Sequence, residues 1–140
     1  MNVRVDGGRQ RYVQNITVGS HALLADEPED AGGADAGPNP YELLLAAVGT
    51  CAGITVQMYA ERKQWPLEGV HVALSWARVH AEDCAECETE VRMVDGIEME
   101  VSFSGNLSEA QRRRLTEIAN KCPVHRTLSS PIQIHTGLRA

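Results

Sequence analysis

The sequence predicts an α+β domain with a largely antiparallel sheet. Three features carry that prediction: short runs of period-two alternation, a long uncharged helical stretch from about residue 40, and a second helix that opens on a capping box. The 140 residues are read as a single domain, 1–140, long enough to bury a core.

Residues 2–6 and 11–18 read as two strands joined by a Gly7-Gly8 turn. Val3 and Val5, then Tyr12 or Val13, Ile16 and Val18, supply the alternation. Residues 19–24 add a third strand after a second turn. Ala25–Asp35 is acidic and contains glycine, which predicts a surface loop.

The stretch from Gly37 to Tyr59 reads as one long helix. Asn39 is the N-cap and Pro40 takes the first helical position, where its missing N–H costs nothing. Glu42 falls at the third position, able to reach back to the cap N–H. Leu44, Ala47, Cys51, Ile54 and Met58 recur at spacings of three and four, which predicts a buried stripe carrying a thiol. Gly49 and Gly53 flank Cys51, each costing about 1 kcal/mol against Ala in a helix. Their presence suggests a close approach to the backbone beside the sulfur. Trp65-Pro66 ends the helix. Residues 43–60 carry no charge, near the roughly 20 apolar residues of a membrane span. Gly49, Thr50, Gly53, Thr55 and Gln57 dilute the run, so a core helix is expected and no membrane partner.

Gly69–His80 alternates Val70, Val72, Leu74 and Trp76 as a half-buried strand. Residues 91–104 follow, with Ile97, Met99, Val101 and Phe103 on one face, and Gly105-Asn106 makes a turn. Ser108 with Gln111 is a capping box. Leu115, Ile118, Ala119 and Cys122 then share one helix face, and Pro123 ends that helix with Cys122 at its C-terminal end. Pro131–Leu138 reads as a closing strand with Ile132 and Ile134 at period two.

Composition narrows the function. The net charge is −6 and there are one Phe and two Trp, so neither a basic stripe nor stacking aromatics for nucleic acid are present. The N-terminal residues have no apolar signal core, which predicts a cytoplasmic, reducing compartment. Four cysteines there are not read as a disulfide framework.

The main chemical signal is the pair of thiols on two helices. If the helices pack face to face, the sulfurs come within disulfide range. One thiolate could then attack a peroxide oxygen and its sulfenic acid be captured by the other thiol. A free thiol of pKa ~8.5 is only a few per cent ionised at pH 7. Lowering it by ~2 units takes roughly 2.7 kcal/mol of preferential anion stabilisation, and burial opposes this. One or two charge-assisted hydrogen bonds from an arginine supply that amount. Arg9 and Arg11 near the first turn, and Arg126 after Cys122, are the candidates, and Glu42 could hold such an arginine. His125 lies close to Cys122 and is read as a partner of the helix end. The helix C-terminus disfavours an anion at Cys122, so Cys51 is expected to be the nucleophile and Cys122 the resolver.

At these residues the chain resembles the OsmC/Ohr family of osmotically inducible and organic-hydroperoxide-resistance proteins. Gly37-Pro-Asn-Pro-Tyr-Glu-Leu-Leu-Leu-Ala-Ala, running on to Cys51, looks like its first cysteine helix. Lys121-Cys122-Pro123-Val124 looks like its second motif, and Cys122–Leu128 is closest to the OsmC-like branch. The resemblance implies an OsmC-like fold in an intertwined homodimer, with each active site at the subunit interface. It implies reduction of small organic hydroperoxides with a dithiol reductant such as a dihydrolipoyl group. Cys51 would be peroxidatic, Cys122 resolving and Glu42 the carboxylate, with the arginine open between Arg9 and Arg11.

Asp83-Cys84-Ala85-Glu86-Cys87 is a C-x-x-C with His80 nearby. A structural zinc site wants four ligands, and the acidic neighbours would raise a thiol pKa. Incidental loop cysteines are expected there, and no metal or cofactor. The alternative to a peroxidase is a dimeric module that binds a small apolar ligand or senses oxidation without turnover.

Overall fold

The computed structural model describes residues 1–80 and 93–139. The fold is α+β and its strand pairings are antiparallel. The chain divides into two compact units, Met1–Leu44 and Leu45–Ala140.

The first unit opens with a three-stranded meander, β1 (Arg4–Gly7), β2 (Gln14–Val18) and β3 (His21–Ala25), in the order β1-β2-β3. The β2–β3 turn is two residues long between paired Val18 and His21, and Gly19 has φ +60°, which suits glycine at a tight hairpin. The second strand begins three residues later than the alternation predicts. Arg11 turns the chain with φ +44°, and the Val13 N–H donates to the Gln10 carbonyl at 2.9 Å. Arg9 and Arg11 therefore sit in a loop.

The acidic stretch after β3 is organised around a buried carboxylate. Asp26 is 2% exposed, and it accepts backbone N–H groups from Glu27 (2.8 Å), Ala34 (3.0 Å) and Ala36 (3.1 Å). The Ala36 N–H, helped by those of Glu27 and Ala34, holds its pKa below the ordinary 3.8 although desolvation pulls the other way. A single 3₁₀ turn, Glu29–Ala31, lies inside this loop. Gly33 is tucked so close that an added Cβ would overlap the Glu27 carbonyl.

Helix α1 (Pro40–Lys63) starts as its sequence dictates. The Asn39 side chain accepts the Glu42 N–H at 2.9 Å, and Glu42 accepts the Asn39 N–H at 2.8 Å, a reciprocal cap. At the other end Gln64 adopts φ +55°. The Trp65 N–H then donates to Ala60 and the Gln64 N–H to Glu61, a Schellman closure built without glycine.

In the second unit, β4 (Leu67–His80) and β5 (Met93–Gly105) form a long two-stranded ribbon. The two predicted apolar rows face each other across it: Val70 pairs with Phe103, Val72 with Val101, Leu74 with Met99 and Trp76 with Ile97. Helix α2 (Glu109–Ala119) follows, with the Ser108–Gln111 capping box formed at 3.1 and 2.8 Å. Arg112 ties α2 back to β5 by donating to the carbonyls of Phe103 and Gly105. The core gathers Ala52, Val56, Ala60, Phe103, Leu107, Leu115, Ile118, Ala119 and Cys122.

The structure corrects three expectations. The buried stripe of α1 is Val48, Ala52, Val56 and Ala60 rather than the row through Ile54 and Met58, which are 50% and 65% exposed. This helix is apolar around most of its circumference, so spacing alone could not choose the face. It also meets the length and apolarity of a membrane span, with 22% of its most apolar window buried. Second, Pro123 does not end the helical region. It opens a short helix, α3 (Pro123–Leu128), with Cys122 as N-cap. Third, the alternating C-terminal segment forms no strand: residues 131–139 are irregular, and Ile132, Ile134 and Leu138 are exposed. A strand needs a ladder partner, and alternation alone does not supply one.

The two glycines beside Cys51 behave differently. A Cβ at Gly49 would meet Leu74 Cδ1 at 2.6 Å, whereas one at Gly53 would make an ordinary 3.7 Å contact with Val70. Gly53→Ala is expected to gain up to about 1 kcal/mol of helix propensity, raising Tm by roughly 3–5 °C. Gly49→Ala is expected to forfeit that gain, since overpacking costs roughly 1–3 kcal/mol. Thermal melts of the two variants check this directly.

Candidate active site

The second unit brings the two helical thiols together. Cys122 is fully buried and belongs to the core, while Cys51 is half-buried and packs against it. Packed there, Cys51 lies near enough to Cys122 to act on its titration. Burial is the leading cause that pushes the Cys122 thiol above its ordinary value of 9.0, and the nearby Cys51 adds to the rise. The backbone N–H of His125 opposes it, reaching Cys122 Sγ at 3.3 Å.

A second tie joins α1 to α2. Arg114 Nε donates to the Tyr59 hydroxyl at 3.1 Å and Arg114 also pairs with Glu117 at 2.8 Å. The hydrogen bond from Arg114 holds the Tyr59 phenol below its ordinary value. The guanidinium of Arg62 and the ammonium of Lys63 also lie over the Tyr59 ring, at 5.4 and 5.8 Å from its centre. Tyr59 stands eight residues after Cys51, and Arg114 eight before Cys122, so α1 and α2 run antiparallel along this seam.

The second unit also holds a cavity of ≈ 360 Å³. Val48, Ile97, Met99 and Leu128 give it apolar walls, and Glu98, Asn120, His125 and Ser129 its polar ones. Val48 is three residues before Cys51 and Asn120 two before Cys122. Its wall on α3 was not legible in the sequence, because Cys122-Pro123 was taken as a stop. The same pattern at Asn39-Pro40, an N-cap followed by proline, is the signal that could have found it.

The remaining expected site residues have these positions. Arg9 is exposed in the β1–β2 loop, and Arg11, also exposed, lies with its guanidinium 5.7 Å from the Tyr12 ring centre. The Glu42 carboxylate caps α1. Arg126 is exposed on α3. Cys84 and Cys87 lie outside the described residues, and the side chain of His80 does too, so the zinc reading falls there. Among the described residues no group of three or more His, Cys, Asp or Glu is arranged to hold a metal.

An α+β fold with two neighbouring thiols defines a dithiol protein. Residues 32–137 match the family model for OsmC, described as OsmC-like protein, and the chain belongs to that family. A comparison with the curated proteins returned no match. Solved structures share the fold. An organic hydroperoxide resistance protein OsmC from Legionella pneumophila aligns at TM-score 0.63 and 20% identity, covering 91% of this chain and 87% of that one. An OsmC-like protein from Mycoplasma pneumoniae aligns at 0.65 and 14%, covering 91% and 86%. The organic hydroperoxide resistance protein OhrB of Bacillus subtilis aligns at 0.58 and 20%, covering 90% and 87%.

The raised thiol makes stability depend on alkaline pH. Between the ordinary thiol value of 9.0 and the higher value in the folded chain, the unfolded chain releases the Cys122 proton and the folded chain keeps it. The folded state then binds more protons, so stability falls as pH rises through that window, with no contribution from this group below it. Urea unfolding under reducing conditions is expected to weaken from pH 8 to 10 in the wild type and to lose part of that slope in Cys122→Ala.

Proposed function

We propose that this protein is a thiol-dependent peroxidase that reduces organic hydroperoxides. The observation that carries the reading is the closeness of Cys51 to Cys122. In the first step the Cys51 thiolate attacks the terminal oxygen of the hydroperoxide. The O–O bond breaks, the S–O bond forms, and the departing alkoxide takes a proton to leave as the alcohol. In the second step Cys122 displaces hydroxide from the Cys51 sulfenic acid, which gives a disulfide and water. A dithiol reductant, such as a dihydrolipoyl group, returns both thiols by exchange.

The roles follow from burial and contact. Cys122 is the thiol pushed upward, so it carries its proton until it is needed, and the half-buried Cys51 is the one open to a peroxide. Arg9 or Arg11 would stabilise the thiolate, with Glu42 orienting the arginine, in a site completed by a second copy of the chain. The apolar surface left on one copy supports such a homodimer: Val5, Leu23, Ile54, Met58 and Ile134 are each at least half exposed. Names of solved relatives from Legionella pneumophila and Bacillus subtilis are consistent with a hydroperoxide substrate. The expected compartment is the cytoplasm, where reductant keeps the pair ready.

The test is one equivalent of cumene hydroperoxide followed by peptide mass spectrometry. A Cys51–Cys122 disulfide is expected in the wild type, Cys51→Ser should reduce peroxide consumption to background, and Cys122→Ser should strand Cys51 as sulfenic or sulfinic acid. Consumption unchanged in Cys51→Ser would overturn the assignment and leave a ligand-binding module as the better account. Sedimentation separately checks the assembly, which should be two 15.3 kDa chains.

A further inference from the structure

Among the described residues, His125 is the one imidazole that lines the ≈ 360 Å³ cavity. Its ring Nδ1 is hydrogen-bonded to the carbonyl of Asn120, the C-cap of α2. A carbonyl oxygen only accepts, so Nδ1 must carry the hydrogen, and in the neutral ring the lone pair then belongs to Nε2. The same residue's backbone N–H is already on Cys122 Sγ at 3.3 Å. Two hydrogen bonds thus hold His125, one from its ring to the end of α2 and one from its backbone to the buried sulfur. The ring's basic nitrogen is left over.

The resolving step has an unmet need that this nitrogen matches. Cys122 must lose its proton to attack, and it is fully buried. Among the described residues, Cys51 on α1 and His125 on α3 bear on it, and Glu98 of β5 shares the cavity wall with His125. Cys51 is the electrophile at that stage, and a carboxylate is a poorer match than imidazole to a thiol proton near neutral pH. We propose that His125 Nε2 acts as the general base for Cys122 during disulfide formation, the backbone N–H of the same residue already seating it against the sulfur. This rests on the peroxidase reading above and adds a residue to it.

The step balances without an outside reagent. The Cys122 S–H bond breaks and its proton passes to Nε2. The S–S bond forms as the S–O bond of the sulfenic acid breaks, and the departing hydroxide takes the proton back from the ring as water. The Cys122 sulfur is oxidised by one unit and the Cys51 sulfur reduced by one. His125 ends as it began.

The competing account is that His125 merely satisfies an orphan carbonyl at the end of α2. His125→Asn separates the two, because the asparagine Nδ2 occupies the place of the imidazole Nδ1 and preserves that bond while removing the base. Sulfenic acid formation, trapped with dimedone, is expected to proceed at the wild-type rate in His125→Asn. Disulfide formation from it should slow by roughly 10²-fold, and millimolar imidazole, which the ≈ 360 Å³ cavity can admit, should restore part of the rate. Should His125→Asn melt well below the wild type, His125→Gln with the same imidazole rescue takes its place. A folded variant that forms the disulfide at the wild-type rate, or one that is slow but unmoved by imidazole, overturns the inference and leaves a cap. A wild type that forms no Cys51–Cys122 disulfide at all removes the peroxidase reading itself, and the base with it.

Discussion

The antiparallel seam between α1 and α2 fixes where the sulfurs stand. Cys51 meets Cys122 at one end, and Tyr59 meets Arg114 at the other. Eight residues separate the ties along each stretch. Those on α1 are all helical, about 12 Å of rise, whereas on the other side α2 ends at Ala119 and Cys122 caps α3. Between the ties lie Ala52 and Val56 on α1 and Leu115, Ile118 and Ala119 on α2, all buried. The tyrosine–arginine hydrogen bond ties α1 to α2. A slide of one residue along the seam would break the hydrogen bond and part the sulfurs together. The geometry of the thiol pair therefore depends on α1, on α2 and on the short turn that leads from α2 to the Cys122 cap of α3.

That geometry has a chemical cost. A thiol held in a core of Leu115, Ile118 and Phe103 is kept neutral by desolvation. The fold offsets this only in part, by aiming the His125 N–H at the Cys122 sulfur. Cys51 sits at the border of the buried stripe of α1, because that stripe runs through Val48, Ala52 and Val56, next to it. Had the row through Ile54 and Met58 been buried, Cys51 would lie at the centre of the apolar face and be sealed from any substrate. The face that the helix buries thus decides the chemistry open to its cysteine.

The parts of the fold legible in the sequence were those set by local chemistry. The Asn39–Glu42 cap, the Ser108–Gln111 capping box and the alternating rows of β4 and β5 each depend on residues within a few positions, and each formed. What stayed hidden depends on distant partners. The buried face of α1 is chosen by β4 and α2, because the helix itself is apolar on nearly all sides. The ring of N–H groups around Asp26 comes from residues up to ten positions away, so the acidic loop looked like solvated surface. The segment 131–138 alternates like a strand yet has no ladder in the chain, and alternation cannot say whose edge would pair with it. Cys122-Pro123 failed for a different reason: proline marks both the end of one helix and the first turn of the next, and only the Asn39-Pro40 precedent within the same chain pointed to the second meaning.

The proposed ordering of the two thiols rests on a different cause from the one the sequence offers. The sequence argued that Cys122 sits at a helix C-terminus, where the dipole opposes an anion. In the structure it caps α3 and receives an N–H, a contact that favours the anion. Taken alone, that reversal would make Cys122 the better nucleophile. Complete burial outweighs it, since desolvation is the largest influence on this sulfur and the neighbouring Cys51 acts in the same direction. A thiol that is costly to ionise is poorly suited to meet a peroxide, and well suited to wait until a sulfenic acid stands beside it. In the proposed order the N–H would have its use late, when Cys122 gives up its proton and the developing charge on sulfur needs a donor already in place.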